Sequence, residues 1–387
     1  MSGFTVRVVE TETEWALLQP RWNTLLERTS NSTVFQSFEY LQCWWQHFGG
    51  DRRLYIIVAE RGDSLAIAPM QVVRSPWLGA KLPCLTFIGL PSELDRCVLM
   101  CPDSEPDLRR AIVEFIATHR DDWDNITLYE QLPDSPFLIE LADALRRNGY
   151  RVATIAGPES PATVISGSWA DLLATRSSSF RKSIRRKTTQ LSKIAPPRLE
   201  FLDAADAVLP ALARYRAVEA ASWKPDAKLG VAKSPAHWAF WQDVTRRFAS
   251  LQAVQFKFLT VGERTVAGTF GLLWNRQFYS LHIAHDDDYA EYSPGVLLTA
   301  LELEAAFARG DCDRFDFLGG FLANKDSWAT TITPTVALYA NRPSLRGRLF
   351  QWTFFKAKPV LRRLLVRFGI LDAVVQVKKK LFGKSRL

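Results

Sequence analysis

The stretch HDDDYAEYSPGVLLTALELEAAFARGDCDRFDFLGGFLANK, residues 285–325, carries most of the information about the fold. It combines a strand end, a Ser-Pro-Gly turn, an amphipathic helix over Pro294–Arg309, a strand over Arg314–Leu318 and a glycine pair. Ser293 suits the N-cap of this helix, and Pro294 suits its first position because a missing N–H costs nothing there. The order strand, helix, strand predicts an α/β unit.

The Ser-Pro-Gly turn is also a candidate anion site. The start of a helix carries free N–H groups and the positive end of the helix dipole, and both suit a phosphate or pyrophosphate. Gly295 lets the backbone approach a ligand closely. Such a tripeptide also begins ordinary helices, so the surrounding sequence has to decide between the two interpretations.

Two hairpins with the same layout, Leu54–Val73 and Gln255–Trp274, lie about two hundred residues apart. Each joins two strands rich in β-forming residues through a charged turn that contains glycine. An aromatic helix precedes each hairpin, Phe38–Phe48 in one case and His237–Phe248 in the other. We further expect helices at Asp107–His119 and Pro136–Asn148, and strands at Ile126–Glu130 and Arg151–Ile155. The recurrence predicts a duplicated α/β fold with mixed sheets.

The chain has 387 residues, of which 47% are hydrophobic and 23% charged, and it is long enough for two globular domains. Its five cysteines are odd in number and lack CxxC spacing, so the sequence indicates neither a disulfide framework nor a zinc site. His282 and His285 lie three apart on a predicted strand, hence on opposite faces, and we expect no metal. Because GxSxG, GxGxxG, HExxH and P-loop motifs are absent, hydrolase, dehydrogenase and kinase functions are disfavoured.

The net charge of +8 comes from the C-terminus. Residues 343–387 hold 12 Lys or Arg and one acid, Asp372, which leaves −3 for the preceding 342 residues and argues against a DNA-binding core. Apolar and basic residues interleave over 345–387, which predicts a helical tail that contacts an anionic membrane, the protein's own body or nucleic acid. The N-terminus lacks a signal peptide pattern, so we expect a cytoplasmic protein, with the tail as a route to the inner membrane face.

A second basic segment precedes the second hairpin. Ser168–Lys193 predicts two helices, and the second helix contains six basic residues and no acid. Arg181 and Arg185 lie four apart on one face of that helix, so they could grip one anionic substrate together. A solvated basic helix is the alternative interpretation.

Several of these motifs together resemble one known family. SFRKSIRRKTTQLSK (179–193), ERTVAGTFGLLWNRQFYSLHIAHDDDYAEYSPGVLL (263–298), RFDFLGG (314–320) and Lys325 resemble the CelD-type and FemAB-type branch of the GNAT acyltransferase superfamily. FQSFEYLQCWWQHFG (35–49) with IAPMQVV (67–73) is similar to the N-terminal half of that branch. The resemblance implies two tandem GNAT-like domains, each a mixed sheet flanked by helices. It predicts a degenerate domain at 1–156, an acyltransferase domain at 157–342 and the tail at 343–387.

The resemblance also implies an activity. GNAT enzymes move an acyl group from acetyl-CoA or another acyl-CoA to an amine, here on a sugar or on a cell-envelope or polysaccharide precursor. In GNAT proteins the donor pyrophosphate lies at the start of a helix that follows a splayed strand. The matching donor-binding residues here are Ser293, Pro294, Gly295, Val296 and Leu297. FemAB-type relatives use aminoacyl-tRNA instead, and a non-catalytic component of a polysaccharide export system is a third interpretation.

Three residues are candidates for catalysis, because acyl transfer needs a deprotonated amine and a polarised carbonyl. Asp286 matches an acidic position of the family and could accept the ammonium proton, or it caps the turn. Lys325 matches a basic position, where it could hold a substrate phosphate or carboxylate, or it is a surface lysine. Tyr292 could protonate the departing thiolate, or it packs beside the turn.

Further residues are candidates for substrate binding. His285 is a second possible base. Asp316 lies on the strand face opposite its two phenylalanine neighbours, where it could orient an amine or cap the glycine loop. Gly319 and Gly320 follow where the backbone has to turn or to approach a ligand.

Overall fold

The computed structural model describes residues 3–77, 80–89, 96–119, 122–227, 229–319 and 325–342. Two sequence-based predictions, the helical tail over 343–387 and the role of Gly320, lie outside the described residues. The α-helices are α1 (Glu12–Ala16), α2 (Gln19–Glu27), α3 (Phe38–Phe48), α4 (Pro106–Thr118), α5 (Pro136–Arg147), α6 (Trp169–Ala174), α7 (Ser178–Leu191), α8 (Val208–Ala220), α9 (Pro235–Ser250) and α10 (Pro294–Arg309).

The strands fall into two sets that repeat along the chain. They are β1 (Thr5–Val9), β2 (Arg53–Arg61), β3 (Ser64–Trp77), β4 (Ala80–Phe87), β5 (Asn125–Gln131), β6 (Arg151–Ala156), β7 (Ser160–Val164), β8 (Pro197–Leu202), β9 (Val254–Val261), β10 (Arg264–Trp274), β11 (Gln277–His285), β12 (Arg314–Asp316), β13 (Thr331–Thr333) and β14 (Val336–Asn341).

Two seven-stranded sheets have the same topology. The first has the order β1-β2-β3-β4-β5-β14-β6, and the second has the order β8-β9-β10-β11-β12-β7-β13. In both sheets the fourth and fifth strands are parallel, and every other neighbouring pair is antiparallel. A helix joins the two parallel strands in each case, α4 in the first half and α10 in the second, as a parallel connection requires. The duplicated, mixed α/β fold expected from the sequence is confirmed.

The halves exchange one strand. In sequence β7 follows β6, yet it pairs with β12 and β13 in the second sheet. Conversely β14 follows β13, yet it lies between β5 and β6 in the first sheet. The first domain is therefore discontinuous: residues 336–341, which fall inside the range 157–342 assigned to the second domain from the sequence, complete the first sheet.

Helices α3 and α9 also join the two halves. One buried cluster contains aromatic side chains from both, and the rings of Tyr40 and Phe240 meet edge to face with centroids 5.7 Å apart. Arg247 of α9 donates to the amide oxygens of Gln42 and Gln46 on α3. Many of the aromatic side chains thus lie in a shared core that packs the second sheet against the first half.

Candidate active site

The strands β11 and β12 diverge and open a cleft. They pair only over Gln277–Tyr279 and Arg314–Asp316. β11 continues to His285, and no described strand pairs with its edge beyond Tyr279. At the same point the register of β11 against β10 shifts by one residue, with Leu281 as the extra residue. A bulge of this kind bends a strand, which explains why β11 turns away from β12.

The cleft has a volume of about 200 Å³ and meets the start of α10. It brings together five of the residues predicted from the sequence: His285, Ser293, Gly295, Val296 and Lys325. The other lining residues are Ser222, Trp223, Lys224, Ser280, Ile283, Ala284, Ala290, Thr299, Phe317 and Trp328. The stretch that suggested an anion site therefore forms one wall of a cleft.

The Ser-Pro-Gly turn differs in detail from an ordinary capped helix. Ser293 is the N-cap residue in a left-handed conformation (φ 51°, ψ 55°), and its side chain caps no backbone N–H. Instead the N–H groups of Val296 and Leu297 both donate to the Ser293 carbonyl, at 3.0 and 3.2 Å. Pro294 has no N–H. Gly295 therefore provides the one N–H of the first helical turn that makes no hydrogen bond to the described residues.

Lys187, on α7, adds a positive charge at this turn. Its Nζ donates to Ser293 Oγ at 2.7 Å and to the Glu291 carbonyl at 3.0 Å. Sequence reasoning noted the basic helix but did not single out Lys187, because nothing in the spacing of six basic residues indicates which one reaches the turn. The N–H groups of Val296 and Leu297 are already bonded to the Ser293 carbonyl, and the Lys187 ammonium supplies another positive group at the turn.

The turn fits the pyrophosphate of an acyl-CoA. A methyl group added at Gly295 would meet only His285 Nδ1, at 3.7 Å, and Ile283 Cδ1, at 3.9 Å, so the backbone here is open toward the cleft. The free N–H, the helix dipole and the Lys187 ammonium all favour an anion at that position.

Asp286 has structural contacts and does not line the cleft. It is buried, its Oδ2 lies 3.0 Å from Arg264 Nη2, and its Oδ1 accepts the N–H of Asp288 at 3.0 Å. These contacts are those of the turn-capping alternative for Asp286.

Tyr292 also lies outside the cleft lining, with its ring centroid 6.3 Å from that of Tyr289. A hydrogen bond with Glu291 raises the pKa of the Tyr292 phenol. Pro294 and Leu297 are buried and do not line this cleft.

Asp316 is fully buried, and its contacts are those expected for the loop-capping alternative. Its Oδ2 lies 2.7 Å from Arg96 Nη2, and its Oδ1 accepts the N–H of Leu318 at 2.9 Å and the Ser160 hydroxyl at 3.2 Å. Asp316 therefore caps the loop before Gly319 and links the two halves. A methyl group at Gly319 would meet Pro158 at 3.6 Å, outside the cleft lining.

Lys325 lines the cleft and holds the end of the second parallel strand. Its Nζ donates to the Phe317 carbonyl at 2.7 Å and to the Leu318 carbonyl at 3.2 Å. His285, on the opposite wall, has Nε2 3.5 Å from Asp287 Oδ1.

Lys224 is a further cleft residue, which was not predicted from the sequence. Burial lowers the pKa of its ammonium, whose Nζ lies 3.2 Å from Glu219 Oε1. Arg181 and Arg185 line a second cavity beside α10, apart from this cleft.

The corresponding position in the first half is closed. After β4 the chain returns to β3 through a bridge between Ile67 and Met100. At the end of β5 the Gln131 amide donates to the Cys97 carbonyl at 2.7 Å. A side chain thus spans the gap that stays open in the second half.

Within the described ranges, no group of three His, Cys, Asp or Glu side chains could hold a metal ion. All five cysteines are buried and free. In the same part of the chain, no helix is both long and apolar enough to cross a membrane.

Comparisons with known proteins concern the family and the fold. The family model "Acetyltransferase (GNAT) domain" matches residues 178–325. A conserved protein of unknown function from Bacteroides thetaiotaomicron VPI-5482 has a similar structure, with a TM-score of 0.52 at 12% identity over 87% of this chain and 100% of that one. FemX is similar with a TM-score of 0.50 at 12% identity over 86% and 97% of the two chains. At such identities the likeness concerns the fold. No curated protein matches the sequence. The matched residues contain β11, the turn, α10 and β12, so the second half of this tandem GNAT-like chain is an acyltransferase domain of the GNAT family.

Proposed function

We propose that the protein is an N-acyltransferase that takes an acyl group from acyl-CoA, with acetyl-CoA as the first donor to test. The acceptor in this proposal is an amine on a sugar or on a cell-envelope or polysaccharide precursor. The single observation that carries the proposal is the cleft between β11 and β12, which ends at the open backbone of Gly295.

The walls of the cleft suit an extended donor. The edge of β11 beyond Tyr279 has backbone N–H and C=O groups without a described partner strand, and such an edge binds extended chains through main-chain hydrogen bonds. The pantetheine arm would lie along this edge, with the pyrophosphate at Gly295 and Lys187. The acyl-CoA supplies the thioester.

Positioning would supply most of the catalysis, and we assign the proton transfer to His285. The amine nitrogen bonds to the acyl carbon while the C–S bond breaks; the thiolate leaves as CoA, and one amine proton passes to the imidazole. Asp287 lies 3.5 Å from Nε2 and would stabilise the imidazolium. Lys325 keeps Phe317 and Leu318 in place on the opposite wall. Asp286 would act only by holding the turn.

A second candidate is transfer from an aminoacyl-tRNA. The observation that favours it is the exposed basic surface of α7, which includes Lys182 and Arg186. Backbone phosphates of a nucleic acid bind such a surface in a salt-dependent way. The structural similarity to FemX is consistent with this candidate.

A graded series at one position tests the donor. In Gly295→Ala the added methyl makes only ordinary contacts with the protein, so we expect the fold to be unchanged and acetyl-CoA to bind less tightly than to the wild type but more tightly than to Gly295→Leu. In Gly295→Leu the side chain would fill the start of the cleft, and we expect at least about tenfold weaker binding by titration calorimetry. Equal affinity of the two variants would refute the donor assignment.

The same protein distinguishes the other functions. A salt-dependent affinity for charged tRNA without any for acyl-CoA would favour the second candidate. Release of free CoA with a panel of amino sugars would identify the acceptor class. If neither donor binds, the chain is not the transferase proposed here.

A further inference from the structure

A second cavity, of about 390 Å³, lies beside α10 and separate from the cleft. Helices α6, α7 and α10 form its walls, and strands β8 and β9 contribute one residue each. The interior is mainly apolar, with Trp169, Leu173, Ile184 and Leu301 among the lining side chains. Its volume lies within the range of small-molecule sites, about 300–1,000 Å³.

Charged side chains also line this cavity. Arg181 and Arg185, one turn apart on α7, have no ion pair or hydrogen bond from their guanidinium groups to any described residue. One carboxylate, Glu304, is there as well and is likewise unpaired among the described residues. Two cations against one anion leave a net positive charge beside an apolar interior.

We propose that this cavity binds an anionic amphiphile, an acyl chain that ends in a carboxylate or a phosphate. The chain would enter between α6 and α10, and the head group would lie against Arg181 and Arg185, whose planar donors suit both anions. The basic residues 345–387 are a poor occupant, because their charge has the same sign as that of the two arginines.

The inference does not rest on the proposed function. Gly295, Val296 and Thr299 of α10 line the cleft, whereas Leu297, Ala300 and Leu301 line the second cavity. The helix therefore separates the two sites, and a ligand in the second cavity needs no acyl-CoA in the first. Failure of either proposal leaves the other standing.

Binding is tested on the full chain by titration calorimetry with dodecanoate and dodecyl phosphate, below their micelle concentrations. The two head groups distinguish a fatty acid from a phosphate amphiphile as the preferred ligand. We expect Arg181→Gln with Arg185→Gln to weaken binding about tenfold or more. The matched control is Lys182→Gln with Arg186→Gln, which removes the same charge from exposed positions of α7 outside the cavity. Here we expect a change of about twofold or less, because salt weakens the effect of exposed charges that do not contact the ligand.

Three results would overturn the proposal: no binding of either anion, equal binding of dodecyltrimethylammonium, or equal losses in the two double variants. A photoreactive analogue of dodecanoate on the wild-type chain gives a second measurement that does not depend on a variant folding. Adducts on 169–188 or 297–304 support the site, and adducts only elsewhere, including 345–387, exclude it. Ala174→Phe, at an exposed position of the lining, should also abolish the labelling.

Discussion

Replacing Asp316 by asparagine should destabilise the protein strongly. The carboxylate is fully buried and pairs with Arg96 at 2.7 Å, and Arg96 itself is buried. Asparagine keeps an acceptor for the Leu318 N–H and the Ser160 hydroxyl, so the substitution removes mainly the charge. Breaking a buried ion pair from one side costs about 3–5 kcal/mol, because the Arg96 charge stays buried and loses this carboxylate. We expect the free energy of unfolding to fall by about that amount.

The measurement is urea unfolding followed by tryptophan fluorescence. The matched control is Asp313→Asn, which breaks an ion pair to Arg276, also 2.7 Å, at an exposed site near the start of the same strand. Exposed pairs contribute about 0–1 kcal/mol, so this variant should unfold nearly as the wild type does. A loss below about 1 kcal/mol in Asp316→Asn would refute the structural role. Loss of activity with unchanged stability would instead restore a role for Asp316 in substrate binding.

Two further predictions concern α7 and α10. Lys187→Met should weaken acyl-CoA binding about tenfold, because it removes the cation that contacts Ser293 at the start of α10. Lys182→Met on the same helix should leave this binding unchanged, and equal effects of the two substitutions would contradict the role of Lys187. Burial raises the pKa of Glu302 from its ordinary value of 4.5 to about 7, despite attraction by Lys257. The folded state then binds this proton more tightly than the unfolded state does, so the stability from Glu302 is lost as pH rises from about 4.5 through 7. In Glu302→Gln the melting temperature should depend less on pH over this range. An unchanged pH profile would show that Glu302 is not the group responsible.

Elements with strong local signals could be predicted from the sequence. The bounds of α3 and α10 agree with prediction at both ends, because Ser37 and Ser293 precede apolar periodic runs and Gly49 and Gly310 follow them. The two hairpins could be predicted equally well, since a charged turn that contains glycine between two β-forming runs is a local pattern. The mixed sheets and the duplication follow from these elements.

Contacts between distant residues could not be predicted. Arg96 and Asp316 are 220 positions apart, and no local pattern indicates that they meet. The same holds for Lys187, whose partner Ser293 lies 106 residues further on. The bulge at Leu281 opens the cleft, yet nothing in the sequence of β11 marks the position of an extra residue. The location of the donor turn was therefore predictable, but not the side chains around it.

The strand exchange determines when each sheet can be completed during synthesis. While the ribosome makes the chain, β5 and β6 are available long before β14, the strand that lies between them. The first sheet stays incomplete until residue 341 has emerged, although domains usually fold in order from the N-terminus. A polypeptide that stops at residue 335 would contain every strand of the second sheet and would lack one inner strand of the first. A cut of the gene at residue 156 would therefore leave the first half without β14, whereas the second half would keep all seven strands of its own sheet and carry β14 without its partners β5 and β6.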